Sequence, residues 1–282
     1  MKPPIKLLSV VSDFHCGSSV GLMPPTYKTL EGFTVKASPF QLWLWECWLD
    51  WNQFVKEVKG KDPMATVLNG DCTEGVHHGT KQIVSADPGD HKDIAIRCLR
   101  PLADISDRLY IITGTEVHVG SGENSIGHAL KAQINPDFPP CEEGDETPAG
   151  AYTFQRLSLN MNGVRVLARH HMSTSIRRGL SGTPLSNALS DEQVEAVNNG
   201  EELPRVLLLA HSHVSRTFTN DNGLVVVTGA WQGPTRFTHK VVSSARCKPS
   251  GYLLDWRGKK PGELPMVHHR IYNTPPGTTI DL

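Results

Sequence analysis

The chain has 282 residues, of which 38% are hydrophobic and 20% are charged, and its formal net charge is −1. Such a composition is typical of a globular protein with a large apolar core, and it gives no general electrostatic attraction to nucleic acid or to a membrane. The six cysteines form no CxxC pair, so neither a zinc ribbon nor a disulfide framework is indicated. The sequence shows no signal-peptide pattern and no apolar run of transmembrane length, and we expect a cytoplasmic protein that does not contact membranes.

The first predicted strand ends in a carboxylate and an imidazole. Residues 5–11 form a near-continuous apolar run, as is typical of a buried parallel strand, and Asp13, His15 and Gly17 follow it. Two such side chains, two positions apart, can point to the same side and offer two ligands to one metal ion. An Asp-x-His triplet also arises often by chance. Residues 18–38, rich in Gly, Pro and Thr, are predicted to form a long surface loop.

Helices and strands then alternate. Helices are predicted over residues 40–58 and 91–102, and strands over 65–69 and 108–113. We expect the first helix, which contains four tryptophans, to pack on a sheet with some aromatic side chains exposed. Asp71 follows the second strand, and a turn containing Glu116 and His118 follows the third. This alternation predicts an α/β fold, in which ligands collect beyond the carboxyl ends of the strands.

The second half of the chain adds more histidines at strand ends. The Asn162-Gly163 pair predicts a hairpin between strands at 152–159 and 164–167, after which come His170 and His171. A helix over 184–197 precedes a strand over 204–210, which leads to His211 and His213. A helix over 125–134 and strands over 214–219, 224–228, 238–242, 251–256 and 266–272 complete the prediction. No internal repeat or linker is visible, so residues 1–282 are interpreted as a single domain.

Five predicted strand ends in succession therefore carry candidate metal ligands. Carboxylates and imidazoles without thiolates suit manganese, iron, zinc, nickel or cobalt better than a cysteine-type zinc site. Manganese is the preferred prediction, and magnesium is a further alternative. The ligands outnumber what one ion with open positions needs, so we expect two divalent metal ions that share Asp71 as a bridge. Two ions about 3.5–4 Å apart can bind a phosphate and activate a water molecule.

The order of these motifs resembles that of the calcineurin-like metallophosphoesterase family, whose motifs run D-x-H, G-D, G-N-H-D/E, H and G-H-x-H. The matching residues span positions 13 to 213. The resemblance implies a four-layer αββα sandwich of two mixed β-sheets flanked by helices, in which the strands from residue 214 onward complete the second sheet. It also implies two metal sites: Asp13, His15 and His213 hold one ion, Asp71 bridges, and His170 and His211 hold the other.

Two departures from the family pattern concern the ligands. Ala210 replaces the glycine of the last motif, which is a minor change. Thr115 stands where the family places a ligating Asn, and a neutral hydroxyl is a poor ligand. Glu116 is a candidate replacement, with a water ligand as one alternative and a solvated loop carboxylate as another. His118, displaced in sequence from the family's His, is predicted to protonate the leaving oxygen or to stabilise the phosphate.

The remaining candidate residues would contact the substrate. Adjacent strand residues face opposite sides, so only one of the pair should point at the metals. We favour His170 as the ligand because it comes first after the apolar run, and we assign His171 to a supporting or substrate-binding role. Arg177 and Arg178 are candidates for binding phosphate through bidentate contacts, although such arginines are more often ordinary surface charges. Arg236 is a candidate of the same kind.

The sequence thus predicts a metal-dependent hydrolase that acts on phosphodiester bonds through a metal-bound hydroxide. The resemblance extends to phage- or prophage-encoded members of the family, and it favours a nucleotide or nucleic-acid substrate. The near-neutral charge argues against long duplex DNA, because phosphate neutralisation normally needs a basic surface. The alternatives are a phosphomonoesterase acting on a protein or a small molecule, and a non-catalytic binding module.

Overall fold

A computed structural model describes residues 3–77, 79–120, 122–138, 151–171, 182–235 and 247–274. Its strands are β1 (Leu7–Val11), β2 (Thr26–Lys28), β3 (Thr34–Lys36), β4 (Met64–Leu68), β5 (Arg108–Ile111), β6 (Leu157–Met161), β7 (Val164–Ala168), β8 (Val206–Leu209), β9 (Arg216–Asn220), β10 (Gly223–Val227), β11 (Ser250–Asp255) and β12 (Met266–Ile271). Its helices are α1 (Pro39–Lys59), α2 (Pro88–Asp104), α3 (Glu116–Val119), α4 (Gly122–Ala129) and α5 (Thr183–Asn198).

Two mixed sheets of five strands form the centre of the described structure. The first has the order β12-β11-β1-β4-β5, in which β1, β4 and β5 are parallel and β11 and β12 run antiparallel to their neighbours. The second has the order β6-β7-β8-β10-β9, in which β7, β8 and β10 are parallel. The parallel strands carry their carboxyl ends to one rim of each sheet, so the loops that follow them lie near one another.

Alternating side chains of the strands divide the apolar core into three clusters, one between the sheets and one on the outer face of each sheet. Along β1, Leu8 and Val10 pack between the two sheets, whereas Leu7 and Val11 pack beneath α1 and α2. On the outer face of the second sheet, Leu207 and its neighbours pack against α5. The layers are therefore helix, sheet, sheet and helix, which confirms the predicted αββα sandwich.

The tryptophan-rich helix is anchored in the core. Ser38 caps its first turn through a reciprocal capping box, and Pro39 occupies the first helical position. Trp48 and Trp51 are fully buried. Gly251 of β11 lets the helix approach the sheet, because a Cβ there would lie 2.5 Å from the Trp51 ring. The predicted helix packed on a sheet is confirmed.

Two expectations about topology are corrected. β9 and β10 join the second sheet as expected, but β11 and β12 belong to the first sheet, where β11 pairs antiparallel with β1. β11 is buried on both faces, with Leu253 beneath the helices and Leu254 between the sheets, so an interior position suits it. The segment 18–38 is also not wholly a loop, since β2 and β3 pair as a hairpin. The strand predicted over 238–242 lies outside the described residues.

No helix in the described ranges is both long enough and apolar enough to cross a membrane.

Candidate metal centre

The candidate ligands lie on strained loops at the rim of the two sheets. Asp13, His15, Asp71, His211 and His213 all have positive φ, between 44° and 68°, in the left-handed region that favours glycine. Such a conformation costs about 1–3 kcal/mol per residue and persists where the surrounding structure imposes it, often at functional sites. Of the seven non-glycine residues described with positive φ, five are predicted ligands. The backbone therefore marks five of the seven predicted ligands, and His170 and Glu116 are the two that it does not mark.

The first group of side chains converges between the ends of β1 and β8. His15 Nε2 lies 3.2 Å from His213 Nε2, and His213 Nε2 lies 3.5 Å from Asp13 Oδ1. Asp13 and His15 are buried, and Asp13 Oδ1 has no hydrogen-bond partner. Three ligand atoms face one point without a donor that satisfies the carboxylate oxygen. This arrangement fits a divalent cation.

Asp71 connects this group to a second one. Asp71 Oδ2 lies 3.8 Å from His15 Nε2 and 3.1 Å from His170 Nε2. The ring of His170 also lies beside that of His211, with centroids 5.3 Å apart. Asp71 thus stands between two sets of imidazoles, which is the position expected of a bridging ligand.

The second group differs from the first because a neutral hydroxyl, that of Thr115, lies among its side chains. The Thr115 hydroxyl lies 3.2 Å from Asp71 Oδ2, 3.2 Å from His211 Nδ1 and 3.5 Å from His170 Nε2. The Thr115 backbone N–H donates to Asp71 Oδ1 at 2.6 Å. Gly114 permits this close turn, since a Cβ there would come within 2.3 Å of Asp71. Thr115 therefore faces the second group, whereas Glu116 does not.

Glu116 is exposed at the start of α3 and lies outside every described group of His, Cys, Asp and Glu side chains that could hold an ion. Its position does not support the predicted ligand role and agrees with the alternative of a solvated carboxylate.

Burial and neighbouring charges shift the pKa values of the side chains in the centre. Burial alone would raise the pKa of Asp71, but contact with His170 holds that pKa well below its usual range. Burial opposes the charged form of His15, yet Glu74 and the nearby aspartates raise its pKa to about 8. The pKa of His170 is likewise raised, because contact with Asp71 outweighs burial. Burial lowers the pKa of His213 to about 4. Protonated His15 and His170 thus balance the carboxylates, and a bound cation could take the place of those protons.

Neighbouring groups orient the histidines. His170 Nδ1 donates to the Asn69 carbonyl at 2.6 Å, so its Nε2 faces Asp71. His15 Nδ1 lies 2.9 Å from Glu74 Oε2, and this carboxylate oxygen also accepts from Gln232 Nε2 at 3.0 Å. A carboxylate behind a ligating His fixes its ring and increases its basicity. Sequence reasoning missed Glu74; its place three residues after Asp71 was the available signal.

Glu123 is a second carboxylate that sequence reasoning missed. It is fully buried on α4, where Oε1 accepts from Cys72 N at 3.1 Å and Oε2 accepts from Gly114 N at 2.8 Å. Burial, together with the charge of Asp71, raises the pKa of Glu123 to about 7. One side chain thereby joins the turn after β4 to the turn after β5. It precedes the helix predicted over residues 125–134, and this sequence context gave no sign of the role.

His118, the predicted proton donor, lies beside the first group. Its ring packs edge-on against that of His15, with centroids 4.8 Å apart. Its Nδ1 donates to the Glu74 carbonyl at 2.9 Å, which leaves Nε2 as its second functional atom. Burial, followed by the charge of His15, lowers the pKa of His118.

The predicted substrate-binding residues are only partly placed. His171 is exposed, and its ring lies 4.8 Å from that of His211 and 5.0 Å from that of His170. His171 also belongs to a candidate ligand group with His170 and His211, so the preference for His170 as the ligand stays a prediction. Arg177, Arg178 and Arg236 lie outside the described residues.

No protein-family model matches this sequence, and no curated protein is significantly similar to it. Several solved structures match at low identity. Vacuolar protein sorting 29 from Cryptosporidium parvum is 13% identical over 95% of this chain and 98% of its own, with a TM-score of 0.41. An archaeal phosphodiesterase is 11% identical over 94% and 99%, with a TM-score of 0.40. A predicted phosphoesterase from Streptococcus pneumoniae is 12% identical over 94% and 98%, with a TM-score of 0.35. Because these identities and TM-scores are low, the function of this protein must be argued from its own residues.

Proposed function

We propose that this protein is a phosphoesterase that uses two divalent cations and cleaves phosphodiester bonds in a nucleotide or nucleic acid. The observation that carries the proposal is the position of Asp71 between two groups of imidazoles. Asp13, His15 and His213 form one group, and His170 and His211 belong to the other. Carboxylate and imidazole donors without thiolates suit several divalent ions, among which manganese is our preferred candidate.

The protein's own residues would prepare the reaction. Cations held in the two groups would activate a water molecule and neutralise charge on the phosphoryl oxygens. Glu74 and the Asn69 carbonyl hold His15 and His170 with their Nε2 atoms directed into the centre. Ligand atoms that are already in place need little reorganisation when the substrate binds.

His118 is the residue that we assign to the leaving group. One donor atom of His118 lies within 4.8 Å of donor atoms of His15 and Asp71, so its ring borders the site where a phosphate would bind. Because Nδ1 donates to the Glu74 carbonyl, Nε2 is the atom that would carry a proton to the departing oxygen.

A diester suits the described charges better than a monoester. A monoester dianion carries one more negative charge and is commonly bound by arginine forks. Arg169, next to His170, is already held, since its Nε lies 2.8 Å from Glu192 and its terminal nitrogen donates to the His171 carbonyl at 2.6 Å. The sequence resemblance to phage-type phosphoesterases points to the same substrate class.

Hydrolysis of two model esters tests this proposal. The purified protein, loaded with Mn²⁺, would be assayed on bis-p-nitrophenyl phosphate and on p-nitrophenyl phosphate. Faster diester turnover supports the proposal, whereas faster monoester turnover would identify a phosphomonoesterase. Turnover of neither ester, with cations bound, would indicate a non-catalytic binding module and contradict the proposal.

The Asp71→Asn variant tests the bridging role. An amide keeps the shape of the side chain but offers a neutral donor set to both groups. We expect this variant to lose bound metal. Its diester hydrolysis should fall by more than about 100-fold, since losing a group that only orients a ligand typically costs about 10- to 100-fold. Metal content and turnover would be measured on the same preparation. Full metal content with undiminished hydrolysis would refute the assignment.

A further inference from the structure

A third set of potential ligands lies next to the centre and is not explained by the two proposed cations. This side cluster consists of Glu74, His77 and His118, whose donor atoms all lie within 4.8 Å of one another. Glu74 Oε1 is 3.4 Å from His77 Nε2, and the rings of His77 and His118 meet edge-on with centroids 4.5 Å apart.

The side cluster uses a carboxylate oxygen that the centre does not use, and it shares His118 with the centre. Glu74 divides its two oxygens, since Oε2 contacts His15 and Gln232 while Oε1 faces His77. His118 uses Nδ1 as a donor to the Glu74 carbonyl, so the neutral ring carries its lone pair on Nε2. Glu74 Oε1, which contacts His77 Nε2, and one ring nitrogen of His118 thus lie together beside the His77 ring.

The spacing of these atoms suits a metal ion. Two donors that each bind a tetrahedral ion at about 2.1 Å are separated by about 3.4 Å, and the separation is about 3.0 Å for neighbouring octahedral positions. The distance of 3.4 Å between Glu74 Oε1 and His77 Nε2 lies at the tetrahedral value. Two imidazoles and one carboxylate form a donor set that zinc, manganese and iron all accept.

We propose that Glu74, His77 and His118 form a third divalent-cation site, separate from the two cations of the proposed catalytic centre. The site is formed by the segment after β4 and by α3, and Glu74 links it to the centre through His15. The side cluster itself stands on its own geometry; only its effect on catalysis rests on the proposed function.

Occupation of the side cluster would inhibit the proposed reaction. His118 Nε2 is the atom assigned to the leaving group, and it cannot carry a proton while its lone pair binds a cation. Metal would therefore act in two phases, activating at low concentration through the centre and inhibiting in excess through the side cluster. The inhibition is a competition between a proton and a cation for one nitrogen.

Metal counting with Mn²⁺ tests the site independently of activity. The full-length protein would be dialysed to equilibrium against rising Mn²⁺, and bound manganese per chain would be measured by mass spectrometry. We expect the wild type to bind one more ion at saturation than His77→Ala. His128→Ala is the matched control, because that exposed ring on α4 contacts Tyr152 and none of the described candidate ligand groups; it should match the wild type.

The comparison separates this proposal from the previous one. A centre that binds fewer than two ions would lower all three saturation values together and leave the difference of one ion between wild type and His77→Ala. Equal saturation values for wild type and His77→Ala would overturn the third site. His77→Gln, which keeps a polar side chain of similar length, would be measured beside it, so that a folding defect in the alanine variant does not decide the result.

Diester hydrolysis provides the second readout. In the wild type, turnover should rise and then fall as Mn²⁺ increases, whereas in His77→Ala and His77→Gln the falling phase should be absent. An equal fall in all three proteins would overturn the inhibitory role.

Discussion

Asp13 combines a strained backbone with hydrogen bonds that hold its carboxylate. Asp13 has a left-handed backbone, and its Oδ2 accepts from Ser12 Oγ and, at 3.4 Å, from the His211 N–H, while Oδ1 has no partner. These neighbours hold the carboxylate with Oδ1 directed toward His213. Because the surrounding contacts impose this arrangement, the ligand atoms are directed inward before any cation binds.

Glu74 is expected to act on metal binding through His15. In Glu74→Gln, the amide can still contact Gln232, but the negative charge beside His15 Nδ1 is lost. The loss of such a carboxylate typically costs about 10- to 100-fold in metal affinity, and we expect this loss in the tightest-binding phase. Calorimetric titration with Mn²⁺ would measure it. Glu57→Gln, on the exposed face of α1, is the matched control and should bind as the wild type does. Unchanged tight binding in Glu74→Gln would remove Glu74 from this role.

Protonation of the imidazoles predicts how metal affinity depends on pH. Without metal, the pKa of His15 is about 8 and that of His170 is also raised, so both rings are protonated at pH 7. A cation must displace these protons, so metal affinity should increase with pH by about tenfold per unit for each proton released. Above pH 8, where His15 is already neutral, the dependence should weaken.

Calorimetry in buffers of different ionisation heat would count the protons released. Up to two protons should appear at pH 7, and Glu74→Gln should release fewer, because the group that raises the pKa of His15 is gone. Metal binding without proton release at pH 7 would contradict the proposed ligands.

At the scale of elements, the centre depends on turns that are joined to each other. Glu123 on α4 accepts from both Cys72 N and Gly114 N, and Thr115 N in turn donates to Asp71. The turns after β4 and β5 are thereby held in register by a helix that offers no metal ligand of its own in the described groups.

Glu123→Gln should loosen this connection without unfolding the protein. Only one oxygen of the amide can accept, and its NH₂ group would face a backbone N–H that now lacks an acceptor. We expect metal affinity to fall by about 10-fold or more, as for other outer-shell contacts, with an unchanged circular dichroism spectrum. Glu116→Gln is the control, since that exposed carboxylate should leave metal binding unaffected. A purely structural Glu123 would lower the melting temperature and leave the metal affinity of the folded protein intact.

Sequence patterns predicted where the strands lie better than they predicted which strands pair. Apolar runs correctly indicated β1, β4, β5 and β8 and the polar residues after them, because burial on both faces leaves a clear signal. A strand was also predicted at the position of β11, but it was assigned to the wrong sheet, since its place depends on hydrogen bonds to β1. Glu74 and Glu123 were missed because their roles arise from tertiary contacts, to His15 and to the turns after β4 and β5, which no periodic pattern in the sequence shows. The hairpin of β2 and β3 was missed because strands of three residues are too short to show alternation.

At the scale of the whole molecule, the candidate centre joins the two sheets. Asp13, His15 and Asp71 follow strands of the first sheet, whereas His170, His211 and His213 follow strands of the second. The contacts between the two sets include the 3.2 Å approach of His15 to His213 and the 3.1 Å approach of His170 to Asp71. A cation held by both sets would therefore link the layers as well as serve the proposed reaction.

Metal binding should accordingly stabilise the whole fold. The ligand groups come together only when both sheets are packed, so cations bind the native state in preference to the unfolded chain. Mn²⁺ at 100 times its dissociation constant adds about 2.7 kcal/mol to the free energy of unfolding for one site, which corresponds to about 5–10 °C in melting temperature at this chain size. Differential scanning calorimetry with Mn²⁺, and again after chelation, would measure the shift. His128→Ala should keep the shift, and Asp71→Asn should lose most of it, because Asp71 contacts imidazoles of both sheets. A shift of equal size in Asp71→Asn would mean that the stabilising cation binds elsewhere.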